Sequence, residues 1–404
     1  MGSCRSLVIV QVPPYPPTGG VALRNWQTLN LLKHQGEVAI FSIYKGSDRA
    51  AQELTQQGFK LAHYDIASPQ RPWTEKVKNR LGYLRSDGYS YADWLYTADA
   101  AKALGQLVET FQPSLMVFEE LWLYPYLQVV KNHPCAIVLD NHNIEGNKED
   151  YRLPRRTLRQ IRHIEQTFIQ RADQTWVCSP VDADQIRQLY GISHGVKVIP
   201  NGLQAEFYRQ VNPPASQNHS PKEPHHLLFL GKFSYYPNEE AALILIQEIY
   251  PALKRRYPDS QLWLVGRDPT AAMATAAKLH NNIHITGMVP DVRPYLNRAS
   301  AMVVPLRQGG GTRLKILEAF ASYCPVVSTA KGAEGLGVKD NHHLWLGETA
   351  AQMVEKVDYL WQNPALDKQI TAHAYDLFIH TYAWAAVEPS IASAVADLHS
   401  QRHA

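Results

Sequence analysis

Several features that would mark a function class are missing from the sequence. No run of about 18 consecutive apolar residues occurs in its 404 positions, so no segment is a candidate for a membrane-spanning helix. Cysteine is scarce. Cys4, Cys135, Cys178 and Cys324 lie far apart with no C-x-x-C spacing, which argues against a disulfide framework or a zinc site and for reduced, cytosolic thiols. An excess of one charge is absent too: 40 basic against 37 acidic residues give a formal net charge of +3. That balance excludes a nucleic-acid binder working by bulk charge and an acidic disordered chain. There is no G-x-x-x-x-G-K-[ST] P-loop and no G-x-G-x-x-G fingerprint, which disfavours a nicotinamide or flavin dinucleotide site. Ser6–Val12 is too short for a secretory core and reads as a first strand. Met1–Ser6 fits a myristoylation pattern, but so short a pattern often matches by chance.

What remains is a chain of 45% apolar residues, long enough for two or three domains. Short β-rich runs alternate with helical stretches. Strand candidates in the first half are 6–12, 37–44, 60–66, 114–121, 136–142, 174–180 and 196–200. In the second half they are 226–231, 261–266, 283–287, 301–306, 324–329 and 343–346. Runs such as Leu227–Leu230 and Ala301–Val304 are apolar without alternation, as expected of strands covered on both faces of a parallel sheet. The polar, Pro-rich segment 211–226 separates two α/β blocks of similar size. The pattern predicts two doubly wound, Rossmann-like α/β domains. If they face each other, the C-terminal ends of both sets of strands border one cleft, where such sheets bind ligands.

The strongest local signal is Pro305 to Ala321. A strand ends near Leu306, Gly309-Gly-Gly311 follows, and a helix begins near Thr312. Glycines there let backbone N–H groups approach an anion at a helix N-terminus. Arg313 and Lys315 fall in the first turn, where cations oppose the macrodipole, and a bound polyanion would relieve that conflict. The plainer reading is a turn with two solvated cations. Glu318, further along the helix, is an acceptor suited to sugar hydroxyls, or a partner for a neighbouring cation. Near the N-terminus, Gly19-Gly20 follows the first strand and precedes a helix with Leu23, Trp26, Leu29 and Leu32. Asp140, His142 and Glu145 cluster at the end of another predicted strand. A metal is the weaker reading of that trio, since no second histidine cluster completes a site. Pro200-Asn201-Gly202 is a turn placed to act as an inter-domain hinge.

The charge excess lies wholly in the first half, where Arg152–Arg171 holds six arginines against one glutamate. Pro154 could start a helix carrying Arg155, Arg156, Arg159 and Arg162, with Leu158, Ile161, Ile164 and Phe168 on another side. This is either a solvated Arg face or a contact for anionic, phosphate-bearing lipid headgroups. The segment 68–96, aromatic and with Lys76, Lys78, Arg80 and Arg85, is a second candidate for such a contact.

Taken in order, these pieces resemble the family-4 glycosyltransferases of GT-B fold, the bacterial group 1 type. The matches are Gly19-Gly20, Asp140 with His142, Ala172-Asp173, Cys178-Ser179, Pro200-Asn-Gly202, Phe229-Leu-Gly-Lys232, Val265-Gly266, Gly287-Met-Val-Pro-Asp291, Gly309–Ala321 and Cys324–Val327. Tyr382-Ala-Trp384 resembles the start of the family's closing helix. The resemblance implies residues 1–202 as an acceptor-side domain, 203–380 as a nucleotide-sugar-binding domain, and 381–404 as a helix packing back on the first. It also implies a retaining, metal-independent transfer from a nucleotide-diphosphate sugar to a glycan, lipid-linked or other glycoconjugate acceptor, in cell-surface polysaccharide synthesis.

By the same resemblance His142, Lys232, Arg313, Lys315 and Glu318 carry the chemistry. Gly19, Gly20, Asn201, Gly231, Arg267, Met288, Val289, Gln308, Gly309, Gly310, Gly311 and Thr312 bind the donor. No cofactor, metal or nucleic acid is expected, and the place of work is the cytoplasm or the inner face of the membrane. Two departures stand out. The first carboxylate of the family's Glu-x7-Glu pair maps onto Gly310 and the second onto Glu318; Lys232 matches a phosphate-binding Arg, but Pro237 stands where the family has a Lys. The first departure keeps two other readings open: a catalytically silent sugar-nucleotide-binding or scaffold protein, and a nucleotide-sugar 2-epimerase.

Overall fold

A computed structural model of the chain describes residues 4–63 apart from Thr18 and Lys45, 95–147 apart from Lys131, 153–209 and 222–403. Residues 68–94 of the acceptor-face candidate 68–96, most of the Pro-rich segment and Met1–Ser3 lie outside the described residues. Two compact units are present. The first comprises residues 1–200 with 388–404, and the second 201–387.

The first unit is built on a seven-stranded sheet: β1 (Cys4–Val10), β2 (Gly36–Ser42), β3 (Lys60–His63), β4 (Leu115–Glu119), β5 (Ala136–Asn141), β6 (Gln174–Val177) and β7 (Val196–Val198). Its order is β3-β2-β1-β4-β5-β6-β7, with every pairing parallel. The continuous apolar runs are explained by helices on the sheet faces. Leu7–Val10 and Met116–Phe118 are fully buried. Helix α1 (Gly20–Lys33) buries Trp26, Leu29 and Leu32, as its sequence period requires. Helix α2 (Arg155–Arg171) buries Ile161, Ile164 and Phe168, and Phe168 meets Phe118 edge to face at 5.4 Å.

The second unit carries β8 (His226–Leu230), β9 (Gln261–Val265), β10 (Ile283–Ile285), β11 (Ala301–Val304), β12 (Val326–Ser328) and β13 (Trp345–Leu346). The order is β10-β9-β8-β11-β12-β13, again all parallel. All thirteen strands fall on the thirteen predicted runs, but several end early. β6 stops at Val177 because Ser179 caps the next helix, its Oγ accepting from the Asp182 N–H at 3.3 Å. β10 stops before Gly287, whose φ of +68° ends an extended run.

Both sheets share one topology. The chain starts in the middle, winds to one edge, then returns and winds to the other. Strand order therefore reverses between β1 and β4, and between β8 and β11, and the loops leaving those strands are the expected ligand positions.

Candidate functional site

At the first reversal, β1 leads through Gly19 into α1. Gly19 has φ +91°, a left-handed value that favours glycine. Glu119 ends β4, Asp140 is the penultimate residue of β5, and His142 follows the strand. His142 Nε2 lies 2.7 Å from Glu119 Oε2. Asp140 is held by Arg24 of α1, whose Nη2 and Nε donate to it at 2.8 and 3.0 Å, and by the Thr28 hydroxyl at 3.1 Å. Arg24 also donates to the carbonyls of Ile199 and Pro200, at 2.6 and 3.1 Å. With its amide nitrogen turned toward the pair, Asn25 donates to Glu119 Oε2 at 3.0 Å. All five charged or polar partners Arg24, Asn25, Glu119, Asp140 and His142 are buried.

Burial, with Asp140 nearby, pushes the Glu119 carboxyl up. Burial opposes charge on His142, but the hydrogen bond and charge of Glu119, helped by Glu120 and Asp140, outweigh it and raise the imidazole above its ordinary value. His142 Nδ1 and Glu119 Oε1 are buried without a hydrogen-bond partner among the described residues. The side-chain ligand atoms of Glu119, Asp140 and His142 lie within 4.8 Å of one another, a metal-like spacing. The Arg24 guanidinium already neutralises Asp140 there.

The His142 turn is braced from below. Glu165 of α2 is fully buried and accepts from Asn141 Nδ2, the Glu145 and Gly146 N–H groups at 2.9 Å each, and the Tyr190 hydroxyl at 2.6 Å. Arg162 donates to the Gly146 carbonyl at 2.8 Å. A Cβ at Gly146 would meet the Tyr190 hydroxyl at 2.1 Å, so only glycine fits. The sequence trio is thus split: Asp140 and His142 share the site, while Glu145 is buried in the turn that Glu165 holds. Sequence reasoning missed Arg24, Thr28, Glu119 and Glu165. The available signals were the polar run Arg24-Asn25 and Gln27-Thr28 in an apolar helix and Glu119 closing an apolar strand.

At the second reversal, β8 runs out into Gly231 and β11 leads into the glycine loop. The backbone here is tightly packed. A Cβ at Gly266 would sit 1.8 Å from the Gly231 carbonyl oxygen, and one at Gly231 would touch Asn238 at 3.0 Å. Helix α3 (Tyr236–Ile244) follows β8, and helix α4 (Leu314–Ala321) follows the loop. Gly309 and Gly311 have φ +111° and +74°. Arg313, at the α4 N-cap, does not reach outward. Its guanidinium donates to the carbonyls of Gly309 and Gly311 at 2.8 Å each, and to that of Gly310. Arg313 therefore shapes the loop from behind. Thr312 Oγ1 is buried without a partner among the described residues.

Lys315 is the cation presented beside the loop. Its Nζ donates to Asn238 Oδ1 at 2.8 Å and lies 4.1 Å from the Phe229 ring centre. Burial, with Arg313 nearby, pushes the Lys315 ammonium down to about 7 against the pull of Glu318. Burial pushes the Glu318 carboxyl up to about 7, against Lys315 and the Tyr208 hydroxyl that donates to Glu318 Oε1 at 3.1 Å. Phe207, next to Tyr208, stacks under the Arg293 guanidinium at 3.7 Å, and Arg293 pairs with Asp291 at 2.8 Å.

Of the other sequence candidates, Lys232 is half-exposed, 4.0 Å from Asp268, and Arg267 is exposed. Met288 is 69% exposed, and Val289 lines a pocket of about 310 Å³ with Trp263, Asp291, Tyr295 and Arg298. Asn201 is buried, its Oδ1 lacking a partner among the described residues. Gln308 donates to Glu240 at 3.0 Å. Arg155, Arg156, Arg159 and Arg162 are exposed on α2. Among the described residues no helix is long and apolar enough to cross a membrane.

Two family models match. Residues 47–207 match Glycosyltransferase Family 4, and residues 224–363 match Glycosyl transferases group 1. A search among curated protein sequences finds no match. Solved structures are similar along the whole chain. A glycosyltransferase from Rickettsia africae is 15% identical, with 98% of this chain and 99% of that one covered and a TM-score of 0.71. Anabaena HepE in complex with UDP-glucose is 15% identical over 97% and 99%, with a TM-score of 0.71. Sucrose-phosphate synthase from Thermosynechococcus elongatus is 16% identical over 98% and 100%, with a TM-score of 0.71. At such identities the likeness establishes the fold, and the family models, one on each half of the sequence, add the family. The chain belongs to the group 1, family-4-like glycosyltransferases of GT-B fold.

Proposed function

We propose that the enzyme moves a sugar, with retention and without a metal, from a nucleoside-diphosphate sugar to a glycan or lipid-linked acceptor in the synthesis of a cell-surface polysaccharide. The observation that carries this reading is the second unit's cluster of Gly309–Gly311, Thr312 and Lys315, a glycine loop at a helix N-terminus with a partly discharged lysine beside it. An arriving diphosphate would hold Lys315 in its charged form, so donor binding is coupled to proton uptake. As the anomeric carbon separates from the diphosphate, charge grows on the leaving oxygen. Lys315, Lys232 and the loop N–H groups are the chain's own means of stabilising it. Glu318 accepts from ribose hydroxyls, and the backbone at Met288 and Val289 reads the base edge. In the first unit His142, held by Glu119, is assigned to the transferring sugar. HepE was solved with UDP-glucose, which makes that donor the first to test.

The exposed arginines of α2 support an acceptor bearing phosphate, or contact with an anionic membrane face from the cytoplasm. The donor reading is tested by thermal shift over UDP, GDP, ADP and dTDP and their sugars. A ligand at about 100 times its Kd adds roughly 2.7 kcal/mol of stability. Lys315→Met is expected to lose the shift and to lower kcat roughly 10²–10³-fold with the best donor. A wild type that no nucleotide shifts, or a Lys315→Met variant with full activity, overturns the reading.

A further inference from the structure

The hydroxyls of a donor sugar need acceptors, and a site that tells one sugar from its epimer must place them by geometry. The glycine loop is poor in free acceptors. Gly309, Gly310 and Gly311 have no side chains, and the carbonyl of each already accepts from Arg313. No acidic residue occurs between Asp291 and Glu318 in the sequence. Glu318, one turn beyond Lys315 on α4, is engaged by the Tyr208 hydroxyl. A carboxylate at the loop must therefore come from another element.

The fold delivers one. Helix α3 runs along the glycine loop: Asn238 receives Lys315, and the Tyr235 hydroxyl, just before α3, lies 3.2 Å from where a Gly309 Cβ would stand. Two residues beyond Asn238, Glu240 presents Oε2 to the amide of Gln308 at 3.0 Å. Gln308 is the residue that opens the loop. Glu240 is partly exposed, and its Oε1 has no partner among the described residues. A tether between helix and loop would use one oxygen of an amide equally well. A carboxylate there leaves a second, charged acceptor oxygen on a side chain tied to Gln308, two residues before the position at which the resemblance maps the family's first carboxylate onto Gly310.

We propose that Glu240, oriented by Gln308, is the specificity residue that accepts hydrogen bonds from the donor sugar's hydroxyls. The proposal rests on the donor-site reading above and is separable from it. The experiment uses the full-length enzyme and its Glu240→Gln variant, which keeps the tie to Gln308 and removes the charge. Thermal shift and calorimetry compare the best-binding nucleoside diphosphate alone with its glucose and galactose conjugates, which differ in the orientation of one hydroxyl. The expected result is unchanged affinity of the variant for the bare diphosphate, with discrimination between the two sugars falling about tenfold from the wild-type ratio. Unchanged discrimination overturns the proposal, as does an equal loss of diphosphate and sugar-nucleotide binding, which would make Glu240 a brace of the loop. Failure of every diphosphate to bind the wild type overturns the donor-site reading instead.

Discussion

The two strand-order reversals have the same topology and differ in how their charged side chains are partnered. At the first, between β1 and β4, the buried groups hold one another: Arg24 pairs with Asp140, and His142 shares a hydrogen bond with Glu119, whose carboxyl burial raises to about 7. At the second, between β8 and β11, Arg313 is consumed by the loop carbonyls, while Lys315 and Glu318 are both driven toward neutrality. One site is assembled by its own ion pairs before any ligand arrives. The other holds a lysine that burial has partly discharged and that a counter-ion would restore to its charged form. A shared fold thus fixes where ligands approach, and side-chain pairing decides what each end can offer them.

The comparison can be broken most severely at Asp140. Asp140→Asn leaves the Arg24 guanidinium buried without its counter-charge and is expected to cost about 3–5 kcal/mol of stability, read as a drop in the urea midpoint. A loss below about 1 kcal/mol would mean that the network is not a closed, desolvated pair.

The second site predicts a pH signature. Glu318 titrates above its ordinary value of 4.5, so its contribution to stability is present in acid and is lost as pH rises toward about 7. Lys315 titrates below 10.5, so its contribution is complete in alkali and is lost as pH falls toward about 7. Unfolding at pH 5, 7 and 9 should therefore show a trough near 7 relative to a Lys315→Met/Glu318→Gln double variant. A bound nucleoside diphosphate should shrink the trough. A wild type and double variant with parallel pH curves would remove the claim that this pair is held near neutrality.

The smallest effect is expected on α2. Replacing Arg155, Arg156 and Arg159 by Ala should change stability by no more than about 0.5 kcal/mol per site, since these side chains are exposed. Sedimentation with anionic and neutral liposomes then tests the acceptor face, which is upheld by anionic-only binding that the triple variant loses. Binding by neither liposome returns these residues to a solvated helix face.

Legibility in the sequence followed distance along the chain. The glycine loop, Lys315 and Glu318 sit within one strand-turn-helix unit, so residue type and spacing were enough to find them. Asp140 and His142 were found for the same reason. Arg24 and Asp140 are 116 residues apart, and Gln308 and Glu240 are 68 apart. Nothing in a helix pattern says that Arg24 turns inward, or that Glu240 faces a loop from another strand. Arg313 shows the converse. Its position before a helix suggested a phosphate contact, whereas the guanidinium donates to the carbonyls of the glycine loop, a need seen only once the loop has a shape.

The sequence by itself determined the strands, the parallel character of both sheets and the glycine-marked turns, because apolar periodicity and glycine's freedom at positive φ act over a few residues. Only the tertiary structure decided the ionic chemistry. Whether a buried Lys, Glu or His is charged depends on which distant partner the winding of the sheet brings against it, and on how much water that packing removes.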